Sequence, residues 1–203
     1  MKGRNLLLIT FSTFFLMEYA FTLTNFLPLY YLGVSFGFAA VPLSLLLARK
    51  EIGDDLGSPA IQFSVLATAF ASLVSFFVVY ERSWAVTLPE LFFVPVLLEE
   101  FNFRYVLQRI LLREMRSYNA LLLQALAYVS YYSRFVVANH GSGFPFPYNI
   151  LMLSSVFGMS LVYGLLAMRT RNFIASTTLH FIIWAMFPIL ALVPGLASSL
   201  LPT

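Results

Sequence analysis

Cysteine is absent from the 203 residues, so no disulfide framework, thiolate nucleophile or thiolate metal site can be built. Charge is scarce as well. Only 10% of the residues are charged, against roughly 25% in a soluble domain. Twelve Lys plus Arg and nine Asp plus Glu cannot solvate a globule of this size, which excludes a soluble enzyme. The apolar content excludes a disordered chain. There is no Lys/Arg-rich tail, no internal repeat and no low-complexity tract. The net charge of +3 therefore reads as loops facing anionic lipid, and nucleic acid is not expected as a partner.

What is present is hydrocarbon: 60% of residues are hydrophobic and 17% aromatic. A spanning helix needs about 20 apolar residues. Apolar segments lie at about 5–25, 28–48, 60–80, 84–112, 118–139, 148–168 and 172–187, with a short one at about 188–201 that begins at Pro188. The breaks between them carry charge or turn residues, as in Arg49-Lys50-Glu51, Glu81-Arg82-Ser83 and the Gly/Pro-rich stretch 141–147. The first run follows Lys2 and Arg4, as in a signal peptide. It contains Glu18, has no small-x-small cleavage site and is read as a retained span. The expectation is one all-α membrane domain over 1–203, a polytopic transmembrane bundle of seven or eight spans.

Orientation follows from the basic residues. With the N-terminus inside and the spans alternating, Lys2, Arg4, Arg49, Lys50, Arg109, Arg113, Arg116, Arg169 and Arg171 all fall on the cytoplasmic side. Only Arg82 falls outside, while Arg104 and Arg134 lie within spans. That bias predicts a multi-pass integral membrane protein with a cytoplasmic N-terminus.

Ionisable groups inside spans are costly and are candidates for function. They are Glu18, Glu90, Glu99, Glu100, Arg104, Arg134 and His180, with His140 at a span end. Glu18 is a candidate partner for Arg134, a cavity-lining group or a packing residue. The densest cluster is Glu99-Glu100-Phe101-Asn102-Phe103-Arg104. Glu100 and Arg104 are spaced i,i+4 with the acid first, the favoured order for a helical ion pair. Glu99 then lies about 100° round the helix, available as a general base. His180 shares a helix face with Ser176, Thr177 and Trp184. Taken alone it fits a helix–helix hydrogen bond, a proton carrier or a metal ligand. Together, carboxylates on one helix and an imidazole on another can hold and deprotonate a water. Tyr128, Tyr131 and Tyr132 lie inside a span, so their hydroxyls need partners.

These residues resemble the CPBP (Abi) family of intramembrane proteases, which includes the type II CAAX prenyl endopeptidases. The resemblance covers about 95–185. Glu99-Glu100-x-x-x-Arg104 fits the family's first motif, and Tyr105 stands where Gly is common. Gly158, Gly164, Arg169-Thr170-Arg171-Asn172 and His180 match the approach to the third motif, His-x-x-x-Asn, with Trp184 in the Asn place. The second motif, Phe-x-x-x-His, is altered: Tyr132 falls at the His and Tyr128 at the Phe, while His140 lies eight residues further on.

The resemblance implies a glutamate-dependent intramembrane endopeptidase acting on a membrane-associated substrate, prenylated or not, among membrane lipids. It places Glu99 as general base, Glu100 paired to Arg104, and His180 as oxyanion donor or second base, with His140 or Tyr132 supplying the remaining contact. It implies no cofactor. Two Glu and one or two His could also ligate zinc, so a divalent metal stays open. A tyrosine hydroxyl can donate to an oxyanion, but it does not replace imidazole as a base at neutral pH. The altered positions motivate a second reading, a non-catalytic scaffold or immunity-type protein that binds a membrane peptide or partner. A small proton-linked carrier using Glu18, Glu99 and His180 ranks last, for want of matched broken helices.

Overall fold

A computed structural model describes residues 2–46, 92–138 and 146–191. Among these the chain is all-helical and forms six helices. Helix α1 is Lys2–Thr24 and α2 is Leu27–Leu46. Helix α3, over 92–114, is irregular. It is kinked near its start, where Val94 is extended (φ −137°, ψ 112°) before Pro95. An α stretch at Leu98–Glu100 and a wide π turn at Phe101–Leu107 follow, and regular α turns finish it at Gln108–Glu114. Helix α4 is Ser117–Ala138, α5 is Phe146–Thr170 and α6 is Phe173–Ala191.

Three of these helices contain segments long and apolar enough to cross a membrane: Gly3–Thr24, Ser117–Val137 and Asn149–Thr170. Leu27–Ala40 and Phe173–Trp184 are shorter apolar segments. The expected count of seven or eight spans is therefore matched by three among the described residues. The segment 60–80, most of 188–201, Arg82, Glu90 and His140 lie outside them.

Helix α3 runs through the centre, with every residue from 98 to 108 buried. An all-round buried helix needs no amphipathic stripe. On one side Leu7 of α1 and Ala40 of α2 pack against Phe101, Tyr105, Val106 and Ile110. On another Phe11 and Phe14 of α1, Tyr128 and Tyr131 of α4 and Val156 of α5 surround Leu98, Phe103 and Leu107. In lipid there is no hydrophobic drive between helices, so close approach and polar contacts hold them together. Gly37 supplies one close approach: a Cβ there would sit 2.7 Å from Leu98 Cδ1 and 2.9 Å from Phe14 Cδ2. Gly164 supplies another, where a Cβ would meet Leu121 at 2.6 Å and Gln124 Oε1 at 2.8 Å.

The turn between α5 and α6 is set by its own residues. Arg171 takes a left-handed conformation, φ 52°, which ends α5. Asn172 then caps α6, its Oδ1 accepting from the Ile174 amide at 2.9 Å. Arg109 donates to the Arg171 carbonyl at 2.8 Å, and Arg4 pairs with Glu114. These contacts bring the start of α1, the end of α3 and the α5–α6 turn to one end of the bundle.

Candidate active site

Helix α3 carries the paired carboxylates, and α4 and α6 supply their partners. Glu99, Glu100 and Arg104 are each 1% exposed or less. The two carboxylates have separate partner sets. Glu99 Oε2 accepts from the Tyr128 hydroxyl at 2.7 Å and the Tyr132 hydroxyl at 2.8 Å. Those phenols lie one helical turn apart on α4, 3.4 Å from each other. Glu100 turns the other way. Its Oε1 meets His180 Nδ1 at 3.0 Å, and its Oε2 lies 3.3 Å from Arg104 Nε as an ion pair without hydrogen-bond alignment.

Arg104 is buried in aromatic and polar company. Its guanidinium lies over the Tyr128 ring, 4.3 Å from the centroid, and donates to Ser160 Oγ of α5 at 3.2 Å. Gln124 donates to the same hydroxyl at 3.1 Å, and Gln108 donates to the Gly164 carbonyl at 3.0 Å. The small residues Ser160 and Gly164 let α5 approach the charged face of α3.

His180 is held on three sides. Its ring stacks on Tyr163 at 4.9 Å and 24°. Nδ1 meets Glu100, and Nε2 accepts from Trp184 Nε1 at 2.9 Å. Ser176 and Thr177 share its face but donate to the Phe173 carbonyl.

A cavity of about 530 Å³ opens between α4, α5 and α6. Tyr128, Tyr132, His180 and Trp184 form its site-facing wall, and residues such as Phe135, Met152 and Ile183 make the rest apolar. The two phenols thus stand between this cavity and Glu99.

Of the residues expected from sequence, Glu99 and Tyr132 come together, as do Glu100, Arg104 and His180. His180 contacts Glu100 and not Glu99, and His140 lies outside the described residues. Arg134, weighed as a partner for Glu18, interacts with it electrostatically and donates to Thr22 Oγ1 at 3.1 Å and the Tyr131 carbonyl at 2.9 Å. Its guanidinium lies over the Tyr131 ring. Three residues were not marked as site residues from sequence: Tyr128, Tyr163 and Ser160. Tyr128 left a signal, one turn before Tyr132 on the same face. Tyr163 and Ser160 left none beyond being polar in a span. Among the described residues, no group of three His, Asp or Glu side chains could hold a metal ion.

A family model, type II CAAX prenyl endopeptidase Rce1-like, matches residues 81–186, just over half of the chain. The chain belongs to this family. The match takes in Glu99, Glu100, Arg104, Tyr128, Tyr132, His180 and Trp184, so the Rce1-like region contains both carboxylates and their hydrogen-bond partners. With its apolar helices, this makes the chain an integral membrane protein of a protease family. No curated protein and no solved structure matches the chain.

Proposed function

We propose that this chain is a glutamate-dependent intramembrane endopeptidase, with Glu99 as general base and tyrosine hydroxyls where an imidazole would assist. The observation that carries this reading is the placement of Tyr128 and Tyr132 on Glu99, at 2.7 and 2.8 Å, in the wall of an apolar cavity. Both phenols donate to Oε2, leaving Oε1 to address a water. Oε1 takes a proton from that water, and the resulting hydroxide oxygen bonds to the scissile carbonyl carbon. As Glu99 takes up the proton and loses its charge, one phenol turns its single O–H from Oε2 to the developing oxyanion. As the C–N bond breaks, the proton passes from Glu99 to the leaving amine. Glu100, held by Arg104 and His180, positions Glu99 through the helix they share.

The substrate in this reading is a membrane-associated peptide whose apolar portion, prenyl or otherwise, occupies the cavity. The N-terminus lies on the cytoplasmic side, supported by the sequence bias of basic loops and by Arg4, Arg109 and Arg171 meeting at one end. No metal or cofactor has a part. Glu99→Gln in a reconstituted chain offered a prenylated peptide is expected to lose turnover while keeping its fold. Unchanged turnover would overturn the reading.

One observation favours the scaffold alternative: no imidazole touches Glu99 among the described residues, and both His180 nitrogens have partners. The same variant separates the two. A scaffold would show no turnover in the parent chain, and Glu99→Gln would alter only stability or partner binding.

A further inference from the structure

The contacts of His180 leave one arrangement of its protons. Indole N–H is a donor only. Trp184 Nε1 lies 2.9 Å from His180 Nε2, so Nε2 must accept. The single proton of a neutral ring is then on Nδ1, which donates to Glu100 Oε1 at 3.0 Å. Turning the ring over would set carbons against both partners. A second proton, on Nε2, would face the indole N–H. The Tyr163 stack holds the ring plane in which these contacts are made. Trp184 also lines the cavity, so its indole stands between the cavity and Nε2.

We propose that Trp184 is a positioning residue that locks His180 as the Nδ1–H tautomer. Its indole closes Nε2 to the cavity and commits Nδ1–H to Glu100. His180 is then neither a second base nor an oxyanion donor, and proton handling falls to Glu99 with its two phenols. The tautomer stands on geometry alone. Its consequence for catalysis rests on the peptidase reading above.

The test is nitrogen-15 NMR of the full chain, labelled at histidine and held in lipid nanodiscs. There are two histidines, and a His140→Gln variant assigns the signals. His180 should show a protonated Nδ1 and a bare, hydrogen-bonded Nε2. Trp184→Phe should release the lock, with the Nε2–H tautomer appearing, and Trp184→Gln, which restores a donor, should bring back the parent signature. A parent chain with protonated Nε2 overturns the proposal even if the variants do not fold. So does Trp184→Phe with the parent signature intact. Turnover is read separately. Trp184→Phe should lower kcat by roughly three- to tenfold with KM little changed, the scale of one lost hydrogen bond between neutral groups. The stated spectra with no turnover in the parent chain would overturn the peptidase reading and leave the lock in place.

Discussion

At the scale of single residues, the buried pair and the phenols make unlike predictions. Arg104 and Glu100 are mutual partners in the bundle centre, and Glu100 also meets His180 Nδ1. Removing one partner strands the other charge, a loss of about 3–5 kcal/mol for a buried pair. Arg104→Leu should therefore fold poorly or melt at a clearly lower temperature in detergent, as read by thermal unfolding. A Tm within a degree of the parent would contradict the burial argument. Tyr132→Phe removes only a donor to Glu99, 2.8 Å away. It should leave the Tm nearly unchanged and reduce turnover by about tenfold or more, the weight of one hydrogen bond to a charged group. Losing both phenols, in Tyr128→Phe with Tyr132→Phe, should reduce it further. Equal turnover in the double variant and the parent would remove the phenols from the mechanism.

At the scale of helices, α3 gains its place through close approach. The Cβ of Gly37→Ala would sit 2.7 Å from Leu98 Cδ1, the residue before Glu99. Overpacking of this kind costs about 1–3 kcal/mol, and here it pushes on the carboxylate's own helix. Both Tm and turnover should fall. A variant as stable and active as the parent would show that α2 can give way. The helices themselves were legible as apolar runs between charged or Gly/Pro breaks, and Glu100–Arg104 was legible from i,i+4 spacing. The π turn at Phe101–Leu107 was not, because an extra residue in a turn leaves no mark in residue type. Nor could spacing within α6 show which His180 nitrogen faces Trp184, although the two were seen to share a face. The Tyr128 contact needed the pairing of α3 with α4, and hydropathy alone does not say which helices are neighbours.

At the scale of the molecule, two expectations concern the chain in its membrane. The absence of cysteine makes single-cysteine labelling free of background. Cysteine introduced at Lys2, Arg116 or Arg169 should react with a membrane-impermeant maleimide only from the cytoplasmic side of oriented vesicles. Labelling of Lys2→Cys from the opposite side would reverse the proposed orientation. Chelation is the second. The carboxylate pair is met by a guanidinium, an imidazole and two phenols, so a strong zinc chelator should leave turnover within about twofold of the untreated protein, where removal of a catalytic metal would abolish it. A larger loss, restored by added zinc, would place a metal in the site.

Among the described residues, the hydrogen bonds and ion pairs to Glu99, Glu100 and Arg104 come from α3 to α6, while α1 and α2 meet α3 mostly through Leu7, Phe11, Phe14, Ala40 and their neighbours. The two regions should then diverge at different speeds as the gene drifts. Volume-conserving exchanges among the aliphatic and aromatic side chains of α1 and α2 are tolerated best, so those letters can change while their bulk is kept, whereas buried Glu18, Thr22 beneath Arg134 and Arg4 beside Glu114 are held. In the other four helices Glu99, Glu100, Arg104 and His180 each answer to named partners, and substitutions at those partners must arrive in compensating pairs.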